Sequence, residues 1–158
     1  MSTRGCVAVG VPLKWEGVYN HYDSYPAGLG QEVWKIASDE KNLRLLCECL
    51  LQHGSWLSFL SRDDHLDLDH ITSENPDPLF IEWVYIIDPD RTMLHVMKHE
   101  AVGGLDFSRK RPPRPVMLPN RVVDYGHCAY KHVLVASLKL DGLEPDWGKL
   151  GSDKEEED

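Results

Sequence analysis

The sequence predicts an α+β domain with a mostly antiparallel sheet and about two helices packed on one of its faces. Three observations favour this fold class: a strand hairpin in the middle of the chain, two helical patterns before it, and an apolar strand near the amino terminus. The length of 158 residues is that of one domain. We place a single domain at residues 1–150 and an acidic tail at 151–158.

The amino-terminal part reads as a strand pair followed by a turn. Residues Cys6 to Val11 are small, β-branched and apolar, which is typical of a strand. A second extended segment covers residues 15–23, where alternate side chains occupy opposite faces. The turn at 24–30 contains Pro26, which denies the sheet a donor, and glycines that permit close backbone approach.

Two helices are predicted after this turn. The first begins near Gln31, and the second follows an N-cap at Ser38 or Asp39 and continues to about His53. Gly54 stands where a helix typically ends. The second helix carries a wide apolar stripe, which is the mark of a helix that faces the core. The leucines of this stripe are Leu43, Leu45, Leu46, Leu50 and Leu51.

The clearest supersecondary signal is a hairpin at residues 80–99. Two apolar strands, 80–87 and 92–99, flank the turn sequence Asp-Pro-Asp-Arg. A last strand is predicted from Tyr130 to Leu140, and residues 143–147 are predicted to pack back onto the sheet.

Composition excludes several classes of protein. There are 17 basic and 26 acidic residues, which gives a net charge of −9. This charge argues against general coating of nucleic acid and against binding to an anionic membrane surface. A hydrophobic content of 42% excludes a wholly disordered chain. The tail carries one lysine against five acidic residues, so we expect it to be disordered and solvated.

The compartment is read from apolar stretches and cysteines. No apolar run has the length of a signal peptide core or of a membrane-spanning helix, so we expect a cytoplasmic protein. Its four cysteines are then expected to be thiols, and no C-x-x-C pair is present. We expect no cofactor, with a divalent metal as the alternative.

Residues 15–30 resemble the opening of small uncharacterised bacterial and bacteriophage proteins. In those proteins a strand reading roughly Gly-x-Tyr-x-His-Trp-Asp-Gly-Tyr-Pro precedes a glycine and a helix. Here the sequence is Gly-Val-Tyr-Asn-His-Tyr-Asp-Ser-Tyr-Pro, with Tyr22 and Ser24 departing from the pattern. The middle of those proteins often holds a hairpin like the one that leads here from Glu82-Trp83-Val84-Tyr85-Ile86 to Met93-Leu94-His95-Val96, so the resemblance covers about half of the chain. It implies a prokaryotic or phage origin and a single α+β domain, and it carries over no established activity.

The first candidate site is formed by Tyr19, His21, Asp23 and Tyr25. Alternation places all four on one face of an extended segment. A histidine that titrates near neutrality, a carboxylate and two aromatic rings could bind a polar ligand or stack on a base. The alternative is structural: the tyrosines pack, Asp23 caps a turn and His21 bonds to backbone.

The second candidate is a basic stretch at residues 108–121, which holds five positive charges and no acid. Arginine forks match phosphate oxygens, so Arg109, Arg111 and Arg114 are predicted ligand contacts. The same charges could pair with the chain's own acidic residues or remain solvated. Four prolines in this stretch favour an extended, exposed conformation.

The third candidate is an acidic and histidine-rich stretch at residues 63–70. His65, Asp67 and His70 could bind a divalent metal, although neither an EF-hand nor an H-E-x-x-H pattern is present. The alternative is a solvated acidic loop.

Three functions remain open at this level. The leading hypothesis is a small non-enzymatic protein that binds a phosphate-bearing, nucleotide-like ligand or a protein partner, such as a phage-type accessory or sequestering protein. The second is a metal-dependent hydrolase or nuclease that uses the histidine and aspartate clusters. The third is an interaction module without a small-molecule site. The oligomeric state does not follow from the sequence.

Overall fold

The α+β class is confirmed. The computed structural model describes residues 4–20, 23–52, 70–73, 81–102, 108, 116–118, 122–124 and 129–152. Within these ranges one sheet contains eight strands. The strands are β1 (Gly5–Val11), β2 (Lys14–Asn20), β3 (His70–Thr72), β4 (Trp83–Asp88), β5 (Met93–Ala101), β6 (Val116–Leu118), β7 (Val122–Asp124) and β8 (Ala129–Lys139).

The sheet order is β3-β2-β1-β4-β5-β8-β7-β6. All neighbouring strands are antiparallel except β1 and β4, which are parallel. A parallel pair needs a crossover connection, and the helices lie in the chain between these two strands. The prediction of a mostly antiparallel sheet is therefore confirmed.

The helical part begins with a π-helix at Pro26–Gly30. It runs directly into α1 (Gln31–Ala37), which begins at the predicted residue, and α2 (Glu40–Leu51) follows. The carboxylate of Asp39 accepts hydrogen bonds from the backbone N–H groups of Lys41 and Asn42, which confirms the predicted N-cap. A short helix, α3 (Trp147–Ser152), ends the described chain.

Side chains alternate between two buried faces of the sheet. The first face carries Val7, Val18 and Tyr85 and is covered by α1 and α2, so the helices pack on one side as predicted. The second face has its own buried cluster around Cys6, Ile86 and Met97. All six residues of β4 are buried, which is expected of a central strand with both faces covered.

The predicted hairpin and the last strand are both confirmed. β4 and β5 pair with Asp88 opposite Met93, and β8 runs along β5.

The segment after β8 differs in part from its prediction. Trp147 is buried against Trp34 as expected, but Leu143 is 95% exposed because it lies in the loop that leads to α3. This helix includes Gly151 and Ser152, the first two residues of the predicted tail. Residues 153–158 lie outside the described ranges.

Helix length bears on membrane insertion. Within the described residues, no helix is both long enough and apolar enough to cross a bilayer. The longest, α2, has 12 residues, against about 20 for a spanning helix.

Candidate functional site

The extended conformation predicted for residues 15–23 is not kept at Asp23. β2 ends at Asn20, and Asp23 adopts a φ of 46°, in the left-handed region. The shared strand face predicted for Tyr19, His21, Asp23 and Tyr25 therefore does not include Asp23. His21 lies outside the described residues.

Asp23 to Gly30 form a tightly bonded turn, which we call the 23–30 turn. The N–H of Leu29 donates to the carbonyl of Asp23, and the N–H of Gly28 donates to the carbonyl of Tyr25, both at 2.9 Å. The N–H of Gln31 reaches the carbonyl of Pro26, which is the wide spacing of a π-helix. Proline supplies the fixed φ at the start of this helix.

Buried side chains attach this turn to the sheet. Ser24 is fully buried, and its hydroxyl accepts a hydrogen bond from Asn20 Nδ2 at 2.8 Å. The buried hydroxyl of Tyr85, on β4, donates to the carbonyl of Ser24. Burial raises the pKa of Tyr85 well above its ordinary value, so the phenol remains a donor. Hydrogen bonds from Asn20 and Tyr85 on the sheet therefore fix the backbone of the turn.

The outer side of the turn presents Asp23 and Tyr25. Both are exposed, Tyr25 with 44% of its surface accessible. Gly28 lets the tyrosine ring lie close to the backbone, since an added Cβ there would be 3.2 Å from the ring. Tyr19 is half-buried and packs against the second-face cluster. The structure thus places Asp23 and Tyr25 on one turn, and Tyr19 on the sheet.

The other predicted site residues are not described. Arg109, Arg111, Arg114, His65 and Asp67 lie outside the described ranges, and His70 is the first residue of β3. The basic ligand contacts and the metal site stay predictions. Within the part of the chain that the structure describes, no group of three or more metal-ligating side chains occurs.

A polar row that the sequence did not reveal lies on β4, β5 and β8. His95 Nδ1 is 2.8 Å from the hydroxyl of Ser137, and His95 Nε2 is 3.1 Å from Asp88 Oδ2. Arg91 also donates to Asp88 Oδ2, at 3.0 Å. Burial acts to raise the pKa of Asp88, but the hydrogen bonds from His95 and Arg91 outweigh it and hold the pKa below its ordinary value.

Two further histidines form a buried stack between β5 and β8. His99 and His132 face each other across the strand pair, with ring centroids 4.1 Å apart and nearly parallel planes. Burial lowers the pKa of His99 to about 3 and that of His132 to about 4. The Nε2 atoms of both rings are buried without a hydrogen-bond partner in the described structure. Both rings are therefore neutral at physiological pH.

The strand register explains which of these contacts could be predicted from the sequence. In the predicted hairpin, Asp88 and His95 fall on the same face of neighbouring strands, so their proximity follows from the turn. Ser137 and His132 reach the same face only because β8 pairs with β5, which is a contact between distant segments. No local pattern signals that pairing.

A cleft of about 420 Å³ lies at another part of the molecule. Val9, Glu16 and Thr72 line it on the sheet, and Leu51 contributes from the end of α2. Of the residues predicted to bind a ligand, the three that the structure describes, Tyr19, Asp23 and Tyr25, do not line it. It is an alternative location for a ligand.

Comparison of this chain with protein-family models, with curated proteins and with solved structures found no match. The family resemblance of residues 15–30 therefore stays a prediction, and a proposal for function rests on the chemistry of the residues described above.

Proposed function

We propose that this protein binds a phosphate-bearing, nucleotide-like ligand at the 23–30 turn and does not convert it there. One observation carries the proposal. In this turn Asp23 has a left-handed backbone conformation and is followed by a π-helix, and hydrogen bonds from buried groups hold the turn in that form. Strained backbone of this kind costs about 1–3 kcal/mol per residue and clusters at functional sites. π-helical turns are also frequent at such sites.

Buried hydrogen bonds and apolar contacts preorganise the turn before a ligand binds. Ser24 is bonded to Asn20 and Tyr85, and Leu29 is buried in the first-face cluster. A loop already held in its binding conformation loses little entropy when a ligand arrives. The outward groups, Asp23 and Tyr25, are the ones that this surface offers to a ligand.

The chemistry of these groups favours a nucleotide over a simple anion. The exposed ring of Tyr25 offers a face on which a base can stack. The carboxylate of Asp23 suits sugar hydroxyls or base amino groups, since it would repel a phosphate. Phosphate contacts are assigned, as a prediction from the sequence, to Arg109, Arg111 and Arg114.

A thermal-shift screen against nucleotides tests this proposal. A ligand at 100 times its Kd is expected to add about 2.7 kcal/mol to the free energy of unfolding. The Tyr25→Ala variant is expected to bind the best nucleotide about 5- to 150-fold more weakly, because stacking on an aromatic ring contributes about 1–3 kcal/mol per base.

Leu143→Ala is the control, since Leu143 is 95% exposed and far along the chain from the turn. It is expected to bind as the parent does. A flat response of the parent across the nucleotide panel would refute the proposal and leave a protein partner as the remaining binding hypothesis. Equal affinities of Tyr25→Ala and the parent would remove the turn from the site.

A further inference from the structure

We propose that Ser137, His95 and Asp88 form a second functional site, a hydrolytic site for carboxylic esters. It lies on the sheet strands β4, β5 and β8 and uses none of the residues of the 23–30 turn. Three side chains are linked in the order nucleophile, base and orienting carboxylate, with contacts of 2.8 Å and 3.1 Å. The same three groups in the same order activate a serine hydroxyl in acyl transfer, although here Nδ1 of the imidazole faces the serine and Nε2 faces the carboxylate, the reverse of the usual triad.

The carboxylate fixes which nitrogen of the ring carries the proton. Asp88 can only accept when ionised, so His95 Nε2 donates to it and His95 Nδ1 presents its lone pair to the Ser137 hydroxyl. Arg91 keeps the carboxylate ionised through two hydrogen bonds, one from its backbone N–H and one from its guanidinium. The base is thereby held in the tautomer that can accept the serine proton.

Asp88 and His95 are buried, and the nucleophile Ser137 is exposed, which is the distribution that catalysis needs. Asp88 is 2% exposed and His95 is 6% exposed, whereas Ser137 is exposed. The base and its partner are shielded from water, which strengthens their interaction. The hydroxyl stands at the surface, where a substrate can reach it.

Strand geometry directs the N–H of Ser137 to the side where it would serve as an oxyanion donor. The N–H of Leu140 donates to the carbonyl of Thr92, so this pair of residues is hydrogen-bonded, and His95 and Ser137, three positions along, form a non-hydrogen-bonded pair. The N–H of Ser137 therefore points away from β5. On that side β7 pairs with β8 only as far as Lys131, so no described strand occupies the N–H of Ser137.

A β-bulge interrupts the pairing of β5 with β8 next to His95 and Ser137. On β5 the register shifts between Val96 and Met97. Bulges twist a strand locally and occur next to active sites, where they redirect side chains. Here the bulge lies two residues from Ser137, at Val135.

The reaction proceeds in two steps, acylation of Ser137 and hydrolysis of the acyl-serine. Ser137 Oγ bonds to the carbonyl carbon of the ester while its proton passes to His95 Nδ1, and the carbon–oxygen bond to the alcohol breaks as that proton moves to the leaving oxygen. Water then attacks the acyl-serine, with His95 taking the water proton and returning it to Ser137. The products are the alcohol and the carboxylic acid.

Labelling with a fluorophosphonate tests the nucleophile directly. The serine oxygen displaces fluoride from phosphorus, and peptide mass spectrometry locates the adduct. We expect the parent to be labelled at Ser137 at least 100-fold faster than at Ser38, an exposed serine at the end of α1. Ser137→Ala is expected to abolish this adduct and the hydrolysis of p-nitrophenyl acetate, and Ser38→Ala to change neither.

Two variants separate an activated serine from one that is merely exposed. Asp88→Asn and His95→Gln are each expected to slow labelling of Ser137 at least tenfold, with folding checked by circular dichroism. Asp88→Asn serves if His95→Gln fails to fold. Labelling of Ser137 at the rate of Ser38, or labelling unaffected by Asp88→Asn, would overturn the proposal. Nucleotide binding by Ser137→Ala is expected to be unchanged, so this site and the 23–30 turn can fail independently.

Discussion

Lowering the pH from 7.5 to 5 is expected to remove about 4 kcal/mol from the free energy of unfolding, because two buried histidines must stay neutral in the fold. His99 and His132 have folded pKa values of about 3 and about 4, against 6.5 for histidine in an unfolded chain. At pH 5 each unfolded imidazole is almost fully protonated, and each folded one is almost fully neutral. The difference is about 2 kcal/mol for each ring.

The direction of the effect follows from proton binding. A histidine whose pKa is lower in the fold than in the unfolded chain leaves the unfolded state with more bound protons below pH 6.5. The stabilisation is therefore complete above that pH and is lost as the pH falls toward the folded values of about 4 and 3. Asp88 also has a lowered pKa, but its contribution to the free energy of unfolding changes only below the ordinary pKa range of a carboxyl group.

Phenylalanine variants isolate the histidine pair. His132→Phe preserves a flat ring opposite His99, so it is expected to retain the stack and to remove about half of the loss between pH 7.5 and 5. The double variant with His99→Phe is expected to remove nearly all of it. Urea denaturation at several pH values measures this, and a double variant with the same pH dependence as the parent would contradict the account.

Gly28→Ala is expected to destabilise the protein by about 2 kcal/mol and to weaken nucleotide binding with it. An added Cβ at Gly28 would fall well inside van der Waals contact with the backbone carbonyl oxygen of Asp23. That oxygen accepts the hydrogen bond from Leu29 that closes the turn. The turn has to open to admit the methyl group, since the obstacle is backbone rather than a flexible side chain.

Gly142→Ala is the matched control for this variant. A Cβ at Gly142 would meet its nearest neighbours at 3.4 and 3.5 Å, which is ordinary contact. Its free energy of unfolding is expected to change by less than about 0.5 kcal/mol. Urea denaturation measures both variants, and equal stability of Gly28→Ala and Gly142→Ala would show that the 23–30 turn is not closed as described.

Elements set by local chemistry could be predicted from the sequence. The β4–β5 hairpin follows from alternating apolar residues around a proline-containing turn, and Asp39 begins α2 because its carboxylate caps free N–H groups. The apolar stripe of α2 led to its correct placement on the sheet through Leu43, Leu46 and Leu50, which are buried. The other two leucines of the predicted stripe, Leu45 and Leu51, are exposed. These elements depend on residues close together in the chain.

The site was harder to predict because distant contacts shape it. The turn at 24–30 was predicted from its proline and glycines, but the hydrogen bond from Tyr85, 61 residues later, that fixes the carbonyl of Ser24 was not. In the same way, Ser137 meets His95 only through the pairing of β5 with β8. A single sequence shows neither contact.

The most direct test of ligand binding at the turn is a titration of the isotopically labelled protein with ATP and ADP, followed by the backbone amide signals. The account predicts that the largest shifts fall on residues 23–30, with Tyr25 among them. Shifts confined to the cleft lined by Val9, Leu51 and Thr72, or no saturable shifts at all, would contradict it.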